Sequence, residues 1–94
     1  VLEKDIEAKI CDYARSKNVL AYKFTSPARA AVPDRLFIAP DGRIWFCEFK
    51  REGAKPTAAQ DREHTRLRQS KVNVFVIDNV IEGKNMIDLM VMGC

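Results

Sequence analysis

The chain has little of what marks special architectures. Only four Gly and four Pro occur in 94 residues, which excludes collagen-like repeats and Pro/Gly-rich disorder. Three cysteines, Cys11, Cys47 and Cys94, are too few and too widely spaced for a disulfide framework or a zinc cluster. They suit free thiols in a reducing, cytoplasmic setting. No apolar run approaches the roughly 20 residues of a membrane span, and no signal-peptide pattern opens the chain. A Gly-rich phosphate loop is missing, and no cysteine has a base at motif spacing, so P-loop and thiol chemistry are not expected. Charge of one sign is scarce too: 16 basic against 13 acidic residues leave +3, a mild lean toward polyanions.

What remains is ordinary globular material, 47% hydrophobic and 31% charged. Its length suits one domain, 1–94, with roughly 60–65% of the unfolded surface buried. Leu2, Ile6, Ile10, Tyr13 and Ala14 recur at helical spacing, and Asp5 to Lys17 lacks Gly and Pro, which predicts a helix ending at Asn18. Leu20–Phe24 reads as a short strand with Leu20, Tyr22 and Phe24 on one side. Arg35–Ala39 and Arg43–Phe49 are two further strands. Thr57 caps a second helix to about Ser70, Val72–Ile77 is a buried strand, and Lys84–Met92 a last helix. The fold class is α/β, a mixed sheet flanked by helices in the order α-β-β-β-α-β-α.

The linker Pro40-Asp41-Gly42 carries the argument further. A three-residue hairpin loop combines a type I turn with a final left-handed residue, and Pro, Asp and Gly suit those positions in turn. Ala39 then faces Arg43, and Asp34 falls opposite Glu48. A two-residue loop would turn Glu48 to the other face.

Period-two alternation puts Ile44, Phe46, Glu48 and Lys50 on one face of the third strand. Alone, Glu48 and Lys50 read as a pair neutralising each other at a sheet margin. Asp34 changes that reading. Two ionised carboxylates about 4 Å apart repel by about 4 kcal/mol at an effective dielectric of about 20, so a proton or a cation must sit between them. Carboxylates with main-chain carbonyls and waters suit Mg²⁺ or Mn²⁺. Lys50 is then placed to orient a water or offset phosphate charge. Glu7 borders the apolar stripe of the first helix, four residues after Glu3; either is a candidate acid or an exposed helix glutamate. Gln60 and His64 form a four-residue pair on the second helix, open to solvent, packing or site roles. Between Lys50 and Lys71 lie seven basic residues (Lys50, Arg51, Lys55, Arg62, Arg66, Arg68, Lys71), a solvated helix face or a stripe for phosphates.

Glu7, Pro33-Asp34, Glu48-Phe49-Lys50 and Gln60, in that order, resemble the PD-(D/E)xK nuclease superfamily. More closely the chain resembles a stand-alone VRR-NUC domain, the virus-type replication-repair nuclease, from Leu2 to about Ile81. Lys23–Pro27, Val32–Arg35, Trp45–Lys50, Gly53–Gln60 and Val74–Asp78 support it. The resemblance implies a restriction-endonuclease-like core with one or two divalent ions, Mg²⁺ or Mn²⁺, and no small-molecule cofactor. Asp34, Glu48 and the Phe49 main-chain carbonyl would hold metal, joined by Glu7 directly or through water. Lys50 would position the attacking water, with Gln60 beside it.

Stand-alone members resemble Holliday-junction resolvases acting as homodimers in bacterial or phage-infected cells; fused members act as monomers on flaps. A structure-selective DNA endonuclease cutting four-way junctions is therefore expected. The alternatives are a monomeric flap or end nuclease and a non-catalytic DNA-binding module. Lys23, Ser26, Arg29, Arg51 and Lys55 flank the site and would hold backbone phosphates. The apolar stretch Met86–Met92 offers either a dimer contact or an ordinary packed helix. One residue departs from the pattern: Ala31 stands where the family usually carries Gly, so a left-handed turn is less expected there.

Overall fold

Seven elements follow one another in the computed structural model, which describes all residues 1–94. They are α1 (Glu3–Ser16), β1 (Leu20–Lys23), β2 (Arg35–Ile38), β3 (Ile44–Phe49), α2 (Ala58–Gln69), β4 (Val74–Ile77) and α3 (Val80–Met92). The order is the expected one. Both longer turns out of helices are closed by left-handed residues. Asn18 lies at φ 64, and Val19 N–H reaches back to Ala14 O at 2.9 Å, the six-to-one bond of a Schellman end. Lys71, at φ 67, does the same for α2, with Val72 N–H on Leu67 O at 3.1 Å. That bond takes Val72 out of the sheet, so β4 begins at Val74 and not at Val72. The last helix starts earlier than Lys84, because Asn79 caps it and accepts from Glu82 N–H at 2.8 Å.

The sheet runs β1-β2-β3-β4, antiparallel except for the β3–β4 pair. Gly42 takes φ 92, and Ala39 N–H donates to Arg43 O at 2.9 Å, so the three-residue loop forms as its sequence demands. Arg35 pairs with Cys47 and Leu36 with Phe46. One step further along that ladder sets Asp34 beside Glu48.

Which face holds the core is a different matter. The buried cluster comprises Phe37, Cys47, Phe49 and Ile77 from the sheet under Ile6, Ile10, Cys11 and Ala14 of α1 and Met86, Ile87 and Met90 of α3. The helices meet closely: a Cβ on Gly83 would lie 2.5 Å from the Ile10 side chain. The opposite face carries Ile44 and Phe46, with Leu20, Tyr22 and Phe24. Only α2 covers part of it. Leu20 (49%), Tyr22 (53%) and Ile44 (50%) stay exposed, so the alternation holds and this is the face turned from the core. Leu2, at 57% exposure, also falls outside the core that α1 otherwise forms. On α3 the methionines divide: Met86 and Met90 are core residues, while Met92 is exposed.

Candidate active site

The site lies where β2 begins and β3 ends, at the margin of α2. Asp34 is held there by the backbone. Its Oδ2 accepts the Phe49 N–H at 3.0 Å, and its own carbonyl accepts the Phe24 N–H at 2.8 Å. The hydrogen-bonded pairs of this hairpin recur every second residue, from Ala39–Arg43 through Arg35–Cys47. The next such pair is Pro33 and Phe49. Proline has no N–H to donate, so the Phe49 carbonyl loses its ladder donor, while the Phe49 N–H is accepted by the Asp34 side chain. The Pro33-Asp34 dipeptide thereby fixes a carboxylate and frees a carbonyl in one stroke.

Glu48 is buried, at 2% exposure, next to Asp34. Burial pushes its carboxyl up to about 8, reinforced by the Asp34 charge and a carboxyl–carboxyl hydrogen bond, against the opposing pull of Lys50. Its Oε2 accepts from Gln60 Nε2 at 3.2 Å and lies 4.0 Å from Lys50 Nζ. Its Oε1 is buried with no hydrogen-bond partner. Gln60 is held from behind. In a capping box, its Oε1 accepts Thr57 N–H at 2.9 Å while Thr57 Oγ1 accepts Gln60 N–H at 3.1 Å. One amide thus caps the helix and touches the acid.

Of the two helix glutamates, Glu7 is paired with Arg35 on β2, whose Nε donates to it at 2.5 Å. Glu3, one turn earlier, feels the charges of Asp34 and Lys50. Partial burial raises its pKa, followed by the Asp34 charge, while Lys50 lowers it. Sequence spacing could not separate the two, because the competing cation is 28 residues away along the chain.

His64, the second α2 residue of interest, is 1% exposed, with Nε2 3.9 Å from Glu48 Oε1. Burial, then the Arg68 charge, lowers its pKa. Of the five basic or polar flanking residues, Ser26 and Arg29 line a cleft of about 550 Å³ between the open sheet face and α2. Phe24 and Phe46, stacked at 5.3 Å, also line it, and buried Glu63 holds Arg29 at 3.1 Å. Lys23, Arg51 and Lys55 are exposed. Lys55 lines a separate recess with Asp78 and Asp61, so these five do not form one patch.

Ala31 does adopt the left-handed conformation, φ 64, contrary to the expectation drawn from its side chain. The Asp34 anchor lies three residues on, and the loop bends at Ala31 despite the Cβ. An L residue there carries about 1–2 kcal/mol of strain, of which glycine's extra unfolded-state freedom would offset part. Ala31→Gly should therefore stabilise the protein by about 0.5–1 kcal/mol, a rise of roughly 2–6 °C in thermal melting.

No group of three or more His, Cys, Asp or Glu side chains forms a closed metal cage. The donors on offer are two carboxylates and a carbonyl, an open, all-oxygen set. Such a set matches a hard divalent cation that keeps several waters, and Glu48 Oε1 is a buried acceptor in want of a partner.

A mixed four-stranded sheet with paired acids and a lysine at adjoining strand ends places the chain among nuclease-type α/β domains. No family model matches the chain. It is 44% identical over 79 residues to "Putative nuclease p44" of Acyrthosiphon pisum secondary endosymbiont phage 1, spanning 84% of this chain and 85% of that protein. A solved structure described as a VRR_NUC domain superposes with a TM-score of 0.84 at 33% identity, covering 92% of this chain and 94% of the other. The chain belongs to the VRR-NUC nuclease family.

Proposed function

We propose that this nuclease is a divalent-metal-dependent, structure-selective DNA endonuclease of the PD-(D/E)xK type that cuts four-way junctions as a homodimer. The observation that carries the metal dependence is the pairing of half-buried Asp34 with buried Glu48, one of whose oxygens lacks any partner. Asp34, Glu48 and the Phe49 carbonyl would hold Mg²⁺ or Mn²⁺, with Glu7 or Glu3 of α1 as the outer acid. When bound, the ion supplies charge neutralisation at the scissile phosphate and makes a water easier to deprotonate.

The chain's own groups do the rest. Lys50, its ammonium 4.0 Å from Glu48 Oε2, offers a cation to orient the attacking water or to offset charge developing on phosphate. Gln60 holds Glu48 Oε2, keeping the carboxylate plane in place while charge shifts around it. Arg29 and Ser26 stand at the cleft beside this face, ready for backbone phosphates, while the exposed Lys23, Arg51 and Lys55 offer separate phosphate contacts. Shape-selective binding needs such phosphate contacts and no base-reading element. The exposed Leu20, Tyr22 and Ile44 on the open sheet face support a second copy as partner.

The test is cleavage with Mg²⁺ or Mn²⁺ of a synthetic four-way junction, a flap and a linear duplex, beside a solution mass measurement. Symmetric paired nicks in the junction by a species of twice the chain mass are expected. Preferential flap cutting by a monomer would replace the junction reading. Binding without cleavage of any substrate would leave only a DNA-binding module.

A further inference from the structure

In the whole chain three buried side-chain polar atoms lack a hydrogen-bond partner: Glu48 Oε1 and both ring nitrogens of His64. All three belong to two residues that face each other. His64 Nε2 lies 3.9 Å from Glu48 Oε1, and the two side chains are 1% and 3% exposed. Buried polar atoms are nearly always hydrogen-bonded, so the convergence of three orphans at one point calls for an explanation.

The geometry of α2 supplies one. Gln60 and His64 are four residues apart and share a helix face. Gln60 already holds Glu48 Oε2, and its own amide is oriented by the capping box at Thr57. A proton on His64 Nε2 would give Oε1 its missing donor and satisfy two orphans with one bond. The carboxylate would then be gripped at both oxygens from a single helix, one turn apart.

We propose that His64, as the Nε2–H tautomer, is a positioning residue that clamps Glu48 Oε1, so that Gln60 and His64 together set the carboxylate plane presented to the metal. At 3.9 Å the two atoms are a small side-chain adjustment from hydrogen-bond length. His64 touches neither substrate nor ion; it acts through Glu48. Partners of this kind are typically worth 10–100-fold in metal affinity. The proposal rests on the metal reading above and adds to it the residue that orients the ligand.

Two measurements test it. Long-range ¹H–¹⁵N NMR of the full chain, with and without Mg²⁺, should show His64 protonated at Nε2 and bare at Nδ1. A proton on Nδ1 with Nε2 bare overturns the clamp. In Mn²⁺ titrations followed by electron paramagnetic resonance, His64→Ala should bind at least about ten-fold more weakly than wild type. His64→Gln, whose amide nitrogen reaches the Nε2 position, should recover most of that loss, and His64→Asn, which stops short, should not.

Equal affinity in wild type and His64→Ala overturns the proposal while leaving the metal site standing. Equal weakening by Ala, Gln and Asn points to general packing and overturns it as well. No Mn²⁺ uptake by wild type overturns the metal reading itself and this proposal with it. Should His64→Ala fail to fold, the wild-type tautomer and the Gln–Asn contrast decide.

Discussion

Asp34→Asn should lose DNA cleavage by about 10³-fold or more while the metal-free protein melts at the wild-type temperature or slightly above it. The amide oxygen of Asn can still accept the Phe49 N–H that Asp34 Oδ2 accepts at 3.0 Å, so the start of β2 keeps its anchor. What disappears is a negative charge beside the buried Glu48, one of the causes that hold its carboxyl above the ordinary value. Folding is thus spared or helped. Cleavage is not, because stabilisation of phosphate charge by a bound ion is worth several kcal/mol and the ion's grip would rest on Glu48 alone. Plasmid or junction cleavage beside a thermal melt checks both halves. A variant that melts far below wild type would make Asp34 a structural residue and sink the catalytic reading.

The second large effect is an opposition between pH and metal. Glu48 is pushed up to about 8 in the folded chain from an ordinary 4.5. Between those values the folded state holds a proton that the unfolded state has released. Stability of the metal-free protein should therefore be full below about pH 4.5 and fall as pH rises to about 8, by about 1.4 kcal/mol per pH unit at most. Glu48→Gln, neutral throughout, should abolish that contribution.

Divalent metal should act the other way. It displaces the proton, so its affinity grows over the same pH range. At about 100 times the dissociation constant, the gain is about 2.7 kcal/mol, of the order of 10 °C in melting temperature for a chain this size. Melting curves at pH 6 and pH 8, with EDTA or with Mn²⁺, should show a larger metal shift at the higher pH. No shift at millimolar Mn²⁺ would remove the metal site from consideration.

How much of this was legible beforehand depends on whether the deciding interaction is local. Pro40-Asp41-Gly42 specifies its own turn, the turn specifies the register, and the register brings Asp34 to Glu48; every step spans a few residues. The Thr57–Gln60 capping box is local in the same way, and its sequence spacing marks the start of α2 without tertiary help. Arg35 and Glu7 are not local to each other. Their pairing depends on how α1 lies across the sheet, and it gives Glu7 a cation partner that no spacing in the sequence announces. Likewise Ala31 bends into the left-handed region because the loop must return Pro33 and Asp34 to the sheet, a demand that outweighs its Cβ.

By itself, then, the amino-acid order determined the element sequence, the hairpin register and the meeting of two acids, since turn chemistry and alternation act over neighbouring residues. Only the tertiary structure decided which sheet face is the core. Trp45, Cys47 and Phe49 alternate with Ile44, Phe46 and Glu48, and both sets are apolar enough to face inward. The close seating of α3 on α1 at Gly83 and Ile10 buries the first set. The second is left to α2, which brings His64 onto Glu48 and leaves Leu20, Tyr22 and Ile44 in the open.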